Sequence, residues 1–111
     1  MSINLKDLRA LLKTLPYNLY RDMAPKNTAY PYMVYTYDST ENVHASSNVY
    51  RRKRTYQLSL FTDGTEDDLL PIEDLFAKNK IQYGDFYSTA GSENDDTITN
   101  FYTEIQVIVD G

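Results

Sequence analysis

Apolar residues near the amino terminus recur at helical spacing: Leu5, Leu8, Leu12 and Leu15 share one face, while Lys6, Asp7, Arg9 and Lys13 fall mostly on the other. The pattern predicts an amphipathic helix of about three turns. Ser2 or Asn4 supplies a capping oxygen, and Pro16 ends the helix because proline disfavours helical geometry in the residue before it. Residues 17–30 show no period and read as an irregular connection. From Tyr30 to Tyr37 the period changes to two, with Met33, Tyr35 and Tyr37 on one side and Tyr32, Val34 and Thr36 on the other, which predicts a strand.

Asp38 to Val49 is polar and short-chained and supports at most a weak edge strand. A firm strand follows, in which Tyr56, Leu58 and Leu60 face one side and Thr55, Gln57 and Ser59 the other. Carried backwards, the alternation puts Arg52 and Arg54 on the apolar side, past the point where a core accepts charge, so the strand is expected to project from the body there. Asp63-Gly64 marks a turn, and Thr65-Glu66-Asp67-Asp68 resembles a capping box ahead of a second helix with Leu69, Ile72, Leu75 and Phe76 as its stripe. Pro71 must lie in the first turn of that helix, which therefore starts near Asp67 or Asp68. Two further strands are predicted, Ile81 to Thr89 and Thr99 to Val109, the latter with Phe101, Ile105, Val107 and Val109 on one face.

The predicted order is helix, two or three strands, helix, two strands. It implies one α+β domain over residues 1–111, with a mostly antiparallel sheet of about four to five strands and two helices packed on one face. A polar, flexible arm around residues 38–54 protrudes from it and orders on assembly. The expected core is Leu8, Leu12, Leu58, Leu60, Leu75, Phe76, Ile105 and Val107.

Composition narrows the class. No apolar run approaches the ~20 residues of a membrane span, and no partner in a membrane is expected. The chain has no cysteine, which excludes disulfides and thiolate metal sites, and Met1-Ser2-Ile3-Asn4-Leu5-Lys6 lacks a secretory pattern, so synthesis in the cytoplasm is the expectation. Net charge is −5, yet four of the eleven basic residues stand together at Arg51, Arg52, Lys53 and Arg54. Acidic residues gather at Glu66-Asp67-Asp68 and at Glu93, Asp95 and Asp96 in an expected loop. Segregated charge of both signs suits self-association, and solvated faces are the bland reading of the same clusters.

Catalytic constellations are scarce. His44 is the single histidine and lies in the polar middle segment, where a solvated loop residue is the simpler reading. Asp67-Asp68 and Asp95-Asp96 are adjacent pairs, which point apart on a helix or strand; a carboxylate Mg²⁺ or Ca²⁺ site in residues 93–96 is the metal alternative to plain loop solubility. No catalytic residue, cofactor or metal is expected, and the chain is not expected to be an enzyme. The basic run beside Tyr50 and Tyr56 leaves open a small nucleic-acid-binding or regulatory domain, against which stands the acidic total.

The early amphipathic helix, the Pro31 to Tyr37 strand, the polar arm, the Tyr56 to Thr62 strand, the acidic second helix and the final strand together resemble the tail-terminator or tail-completion proteins of long-tailed bacteriophages. The resemblance spans essentially the whole chain as a pattern of elements. It implies a virion structural protein at the head–tail interface that caps the tail tube, ends its polymerisation and forms a homo-oligomeric ring, expected to be a hexamer. The implied partners are the major tail tube protein and the head-completion or connector protein, with DNA passing through the ring without specific recognition. Arg51, Arg52, Lys53, Arg54, Glu93, Asp95 and Asp96 are the candidate protein-interface residues, on a heterologous contact that joins a basic arm to an acidic loop.

Overall fold

The computed structural model describes residues 3–45, 48–90 and 98–109. Helix α1 spans Leu5–Leu12, and the Asn4 Oδ1 accepts the Asp7 N–H at 2.8 Å as its amino-terminal cap. Leu8 and Leu12 are its buried residues, while Leu15 lies past its end and packs half-buried against the core. The chain then forms β1 (Asn18–Arg21), β2 (Tyr32–Ala45) and β3 (Asn48–Thr62). A 3₁₀ turn over Glu66–Leu69 leads into helix α2 (Leu70–Lys78), followed by β4 (Tyr87–Ala90) and β5 (Thr99–Val109).

The five strands make one sheet in the order β1-β2-β3-β5-β4; β1 runs parallel to β2, and the other pairs are antiparallel. The fold is therefore α+β with a mostly antiparallel sheet. The register stacks Met33, Leu60 and Phe101 in one row, Tyr35, Leu58 and Thr103 in the next, and Tyr37, Tyr56 and Ile105 in a third, all on one face. Leu8 and Leu12 of α1 and Leu69, Ile72 and Phe76 of the second helical segment join Met33, Tyr35, Tyr56, Leu58, Leu60, Phe101 and Ile105 in a single buried cluster, while Tyr37 at the end of its row is exposed. Because both helices pack on the same face, burial of that face is the main hydrophobic contribution to stability.

Three expectations change. Residues 17–30 contain a strand, β1, whose four residues are too few to display a period and which is held by pairing with a strand fourteen residues ahead. Of the expected strand from Ile81 to Thr89 only Tyr87 to Thr89 is regular, within β4 (Tyr87–Ala90). Before it, Tyr83 forms an isolated bridge with Ile105, Gly84 donates its N–H to the Glu104 carbonyl at 2.9 Å, and the Tyr83 ring lies 4.9 Å from Phe76 and 5.8 Å from Phe86, so a single bridge and ring packing stand in place of a regular ladder. Leu75 is half-buried at the margin of α2, whose inward residues are Ile72 and Phe76.

The entry to α2 is a polar knot. The Thr65 hydroxyl oxygen accepts the Asp67 N–H at 3.3 Å, and Pro71 sits in the first turn of a regular helix that starts at Leu70. Thr62, fully buried, donates its hydroxyl to the Asp68 carboxylate at 2.5 Å and accepts the Gly64 N–H at 2.9 Å, so it is satisfied in both roles. A Cβ on Gly64 would stand 2.4 Å from that carboxylate, which explains glycine there.

Candidate assembly interface

The β2–β3 hairpin carries the part of the chain that does not belong to the core. Its strands are 14 and 15 residues long and remain paired from Tyr32 opposite Phe61 out to Ala45 opposite Asn48, with register shifts between Tyr37 and Ser39 and between Val43 and His44. The polar segment thus forms a paired ladder broken by two register shifts, because backbone hydrogen bonds need no apolar side chains. The molecule extends over 54 × 27 × 22 Å, and its radius of gyration of 15.3 Å exceeds the ~13 Å of a compact domain of this length.

Strand pairing protects the sheet unevenly. The outer side of β5 is lined in turn by β4, by Gly84 and by Ile3, whose carbonyl accepts the Ile108 N–H at 2.9 Å. The outer side of β2 is covered over Tyr32–Tyr35 by β1 and by the Asp22 N–H on the Tyr35 carbonyl. From Thr36 to Ala45 no strand among the described residues flanks it.

The four basic residues lie near the outer half of β3. Arg51 and Arg52 are exposed, and Lys53 and Arg54 half-buried. Alternation separates them: Arg52 and Arg54 stand opposite Asn42 and Thr40 on the helix side of the sheet, while Lys53 and Arg51 stand opposite Glu41 and Val43 on the other side. The run wraps the arm with positive charge on both sides instead of forming one patch. Arg54 lines a shallow depression of about 260 Å³ with Lys6, Leu5 and Tyr56, which presents two cations and no carboxylate. Glu93, Asp95 and Asp96 lie outside the described residues. Among the described residues no three histidines or carboxylates gather as a metal site.

The second feature is the sheet face away from the helices. Register places Tyr32 beside Phe61, with Asn100 next in that row; Val34, Ser59, Tyr102 and Tyr87 form the adjacent row, with Tyr20 at its far end. Ring centroids are 6.1 Å apart for Tyr20 and Tyr32, 5.1 Å for Tyr32 and Phe61, and 5.9 Å for Tyr87 and Tyr102. Tyr30 stacks on Tyr32 at 5.5 Å and extends the group. Val34 and Ser59 are buried on this side of the sheet and belong to no part of the helix-side core. The Asn100 Oδ1 is buried here without a hydrogen-bond partner. Sequence reasoning saw the density of tyrosine but not this face, because its members come from five strands and only cross-strand register brings them together.

The opposite face shows how this chain uses arginine on tyrosine. The Arg9 and Arg21 guanidinium carbons lie 5.9 and 5.6 Å from the Tyr35 ring centroid, one from α1 and one from β1. No protein-family model matches the sequence, and no curated protein matches it either.

Proposed function

We propose that this chain is a virion structural protein of the tail-terminator type, a subunit that closes into a ring, caps the tail tube and presents a surface to the head connector. The observation that carries the reading is the β2–β3 hairpin, which extends the sheet beyond the helices and surrounds its outer part with positive charge on an otherwise acidic chain. Excluding Arg51, Arg52, Lys53 and Arg54 leaves seven basic residues against sixteen acidic ones, so the remainder of the chain carries −9. Such a division favours one copy meeting another through two different surfaces, the geometry that generates rings. The acidic remainder also suits a channel through which DNA slides, since like charge opposes phosphate binding.

A nucleic-acid-binding role draws less support. Basic residues split over two sides of the arm, and the Tyr56 ring beside them is 3% exposed, so it offers no open face to a base. A single strand of nucleic acid needs its stacking and phosphate contacts together.

The test is complementation with Arg52→Glu/Arg54→Glu, read as tail length by electron microscopy beside circular dichroism of the purified chain. The double variant folds, because exposed and half-exposed charges contribute little to stability. Overlong or headless tails are expected. Normal tails and full infectivity from the folded variant remove the arm from the mechanism.

A further inference from the structure

We infer that the depression at the foot of the hairpin, rimmed by Lys6 and Arg54, is the socket for the acidic turn of a second copy, an inference that rests on the assembly reading above. The depression lies where α1 begins and the sheet continues past it, and Leu5, Tyr56, Val107 and Val109 supply its apolar lining. Lys6 is exposed and Arg54 half-buried, and neither has an ion-pair partner among the described residues. The flanking strands add no anion: Arg54 stands between Thr40 and Val107, and Arg52, next along the same side, between Asn42 and Val109. A half-buried guanidinium in that setting has given up part of its hydration with no carboxylate to offset the loss, which makes it a ready partner for one.

The occupant follows from charge complementarity. Asp63, Glu66, Asp67, Asp68, Glu73 and Asp74 are acidic, and no lysine or arginine stands between Asp63 and Lys78. The Asp68 carboxylate is taken up by the Thr62 hydroxyl, while Glu66 and Asp67 are exposed on the 3₁₀ turn. A chain cannot fill its own socket with them. Arg54 and Thr62 are eight positions apart on β3, about 26 Å at strand rise, and the acidic turn follows Thr62. The Tyr17 hydroxyl ties that turn to the chain leaving α1, whereas the socket opens on the residues that begin α1. Turn and socket therefore lie at opposite ends of the sheet, and their contact is heterologous, joining copy to copy until a ring closes.

Charge reversal isolates the contact. Lys6→Glu/Arg54→Glu makes the socket acidic, and Glu66→Lys/Asp67→Lys makes the turn basic; all four positions are exposed or half-buried, so the fold tolerates the changes. Each variant is checked by circular dichroism and sized by sedimentation velocity, alone, mixed one to one, and with all four changes in one chain, beside the wild type and with or without tail tube protein. The wild type is expected to form higher oligomers, and either variant alone to stay at 12.9 kDa because its two surfaces repel. The mixture and the four-change chain regain oligomers, since acidic again meets basic at every contact. A variant that does not fold is replaced by Lys6→Gln/Arg54→Gln or Glu66→Gln/Asp67→Asn, which should lower the oligomer mass at equal concentration.

Folded variants that oligomerise like the wild type, or a folded four-change chain that stays monomeric, overturn the inference and leave the assembly reading standing. A wild-type chain that is monomeric alone and with tail tube protein overturns both. If the depression takes nucleic-acid phosphate instead, the socket reversal abolishes binding of a single-stranded oligonucleotide and leaves the oligomers intact, which also overturns the inference.

Discussion

The Tyr17 hydroxyl donates to the Asp68 carbonyl oxygen at 2.7 Å, a bond that spans 51 residues and ties the segment between α1 and β1 to the turn that starts the second helical region. The two helices share one sheet face, and this bond sets the spacing of the chain segments beside them. Burial raises the Tyr17 phenol above its ordinary 10.0, with the nearby Asp68 carboxylate adding to the shift.

Tyr17→Phe should therefore lower stability by about 1 kcal/mol at neutral pH, the net worth of a typical hydrogen bond. The folded chain holds the phenol proton more tightly than the unfolded chain does. Its contribution is complete below pH 10 and is lost as pH rises through the higher folded value. Urea unfolding of both proteins from pH 8 to 11 checks this: the wild type should lose its advantage at the alkaline end, and the phenylalanine variant should show a shallower decline.

Leu58 and Ser59 are neighbours on β3 that face opposite sides. Leu58 is 1% exposed in the core cluster, whereas Ser59 is buried on the helix-free face and receives the Gln57 amide at 3.3 Å. Leu58→Ala should cost about 2–5 kcal/mol and Ser59→Ala much less. Chemical denaturation of the two variants gives the comparison, and a larger loss for the serine would reverse the assignment of faces.

Lys80 has φ of 54°, the left-handed conformation that glycine adopts without a Cβ penalty. It closes α2 with the Lys80 N–H on the Ala77 carbonyl at 3.3 Å and the Ile81 N–H on the Phe76 carbonyl at 2.9 Å. Lys80→Gly should stabilise the chain by about 0.5–1 kcal/mol. Thermal unfolding should show a higher midpoint than wild type, and a lower one would mean that the lysine side chain contributes more than the backbone strain removes.

Amide exchange should divide β3 along its length. From Arg52 to Phe61 the strand is flanked on both sides, by β2 and by β5, and Asn48 to Arg51 has only β2. In the isolated chain, amides of Lys53 to Phe61 should be the best protected, and those of residues 42–51 should exchange faster and gain protection on assembly. Equal protection along the whole hairpin in a verified monomer would remove the need for a partner to order the arm.

Local physics made much of the architecture legible. Leucine spacing marked α1, alternation marked the core halves of β2, β3 and β5, and Pro71 restricted where α2 starts. Leu8, Leu12, Leu58, Leu60, Phe76, Ile105 and Val107 are buried as their periodicity required. These features depend on neighbours a few residues away, so a single chain read in order contains them. Tertiary structure decided the rest. The position of β1 beside β2, the reach of the hairpin through a polar segment, the inward turn of Tyr83 and the gathering of Tyr20, Tyr32, Phe61, Tyr102 and Tyr87 on one face all depend on which strands pair and in what register. Register is set by burial of the opposite face beneath the two helices, a property of the folded whole that no local window of sequence carries.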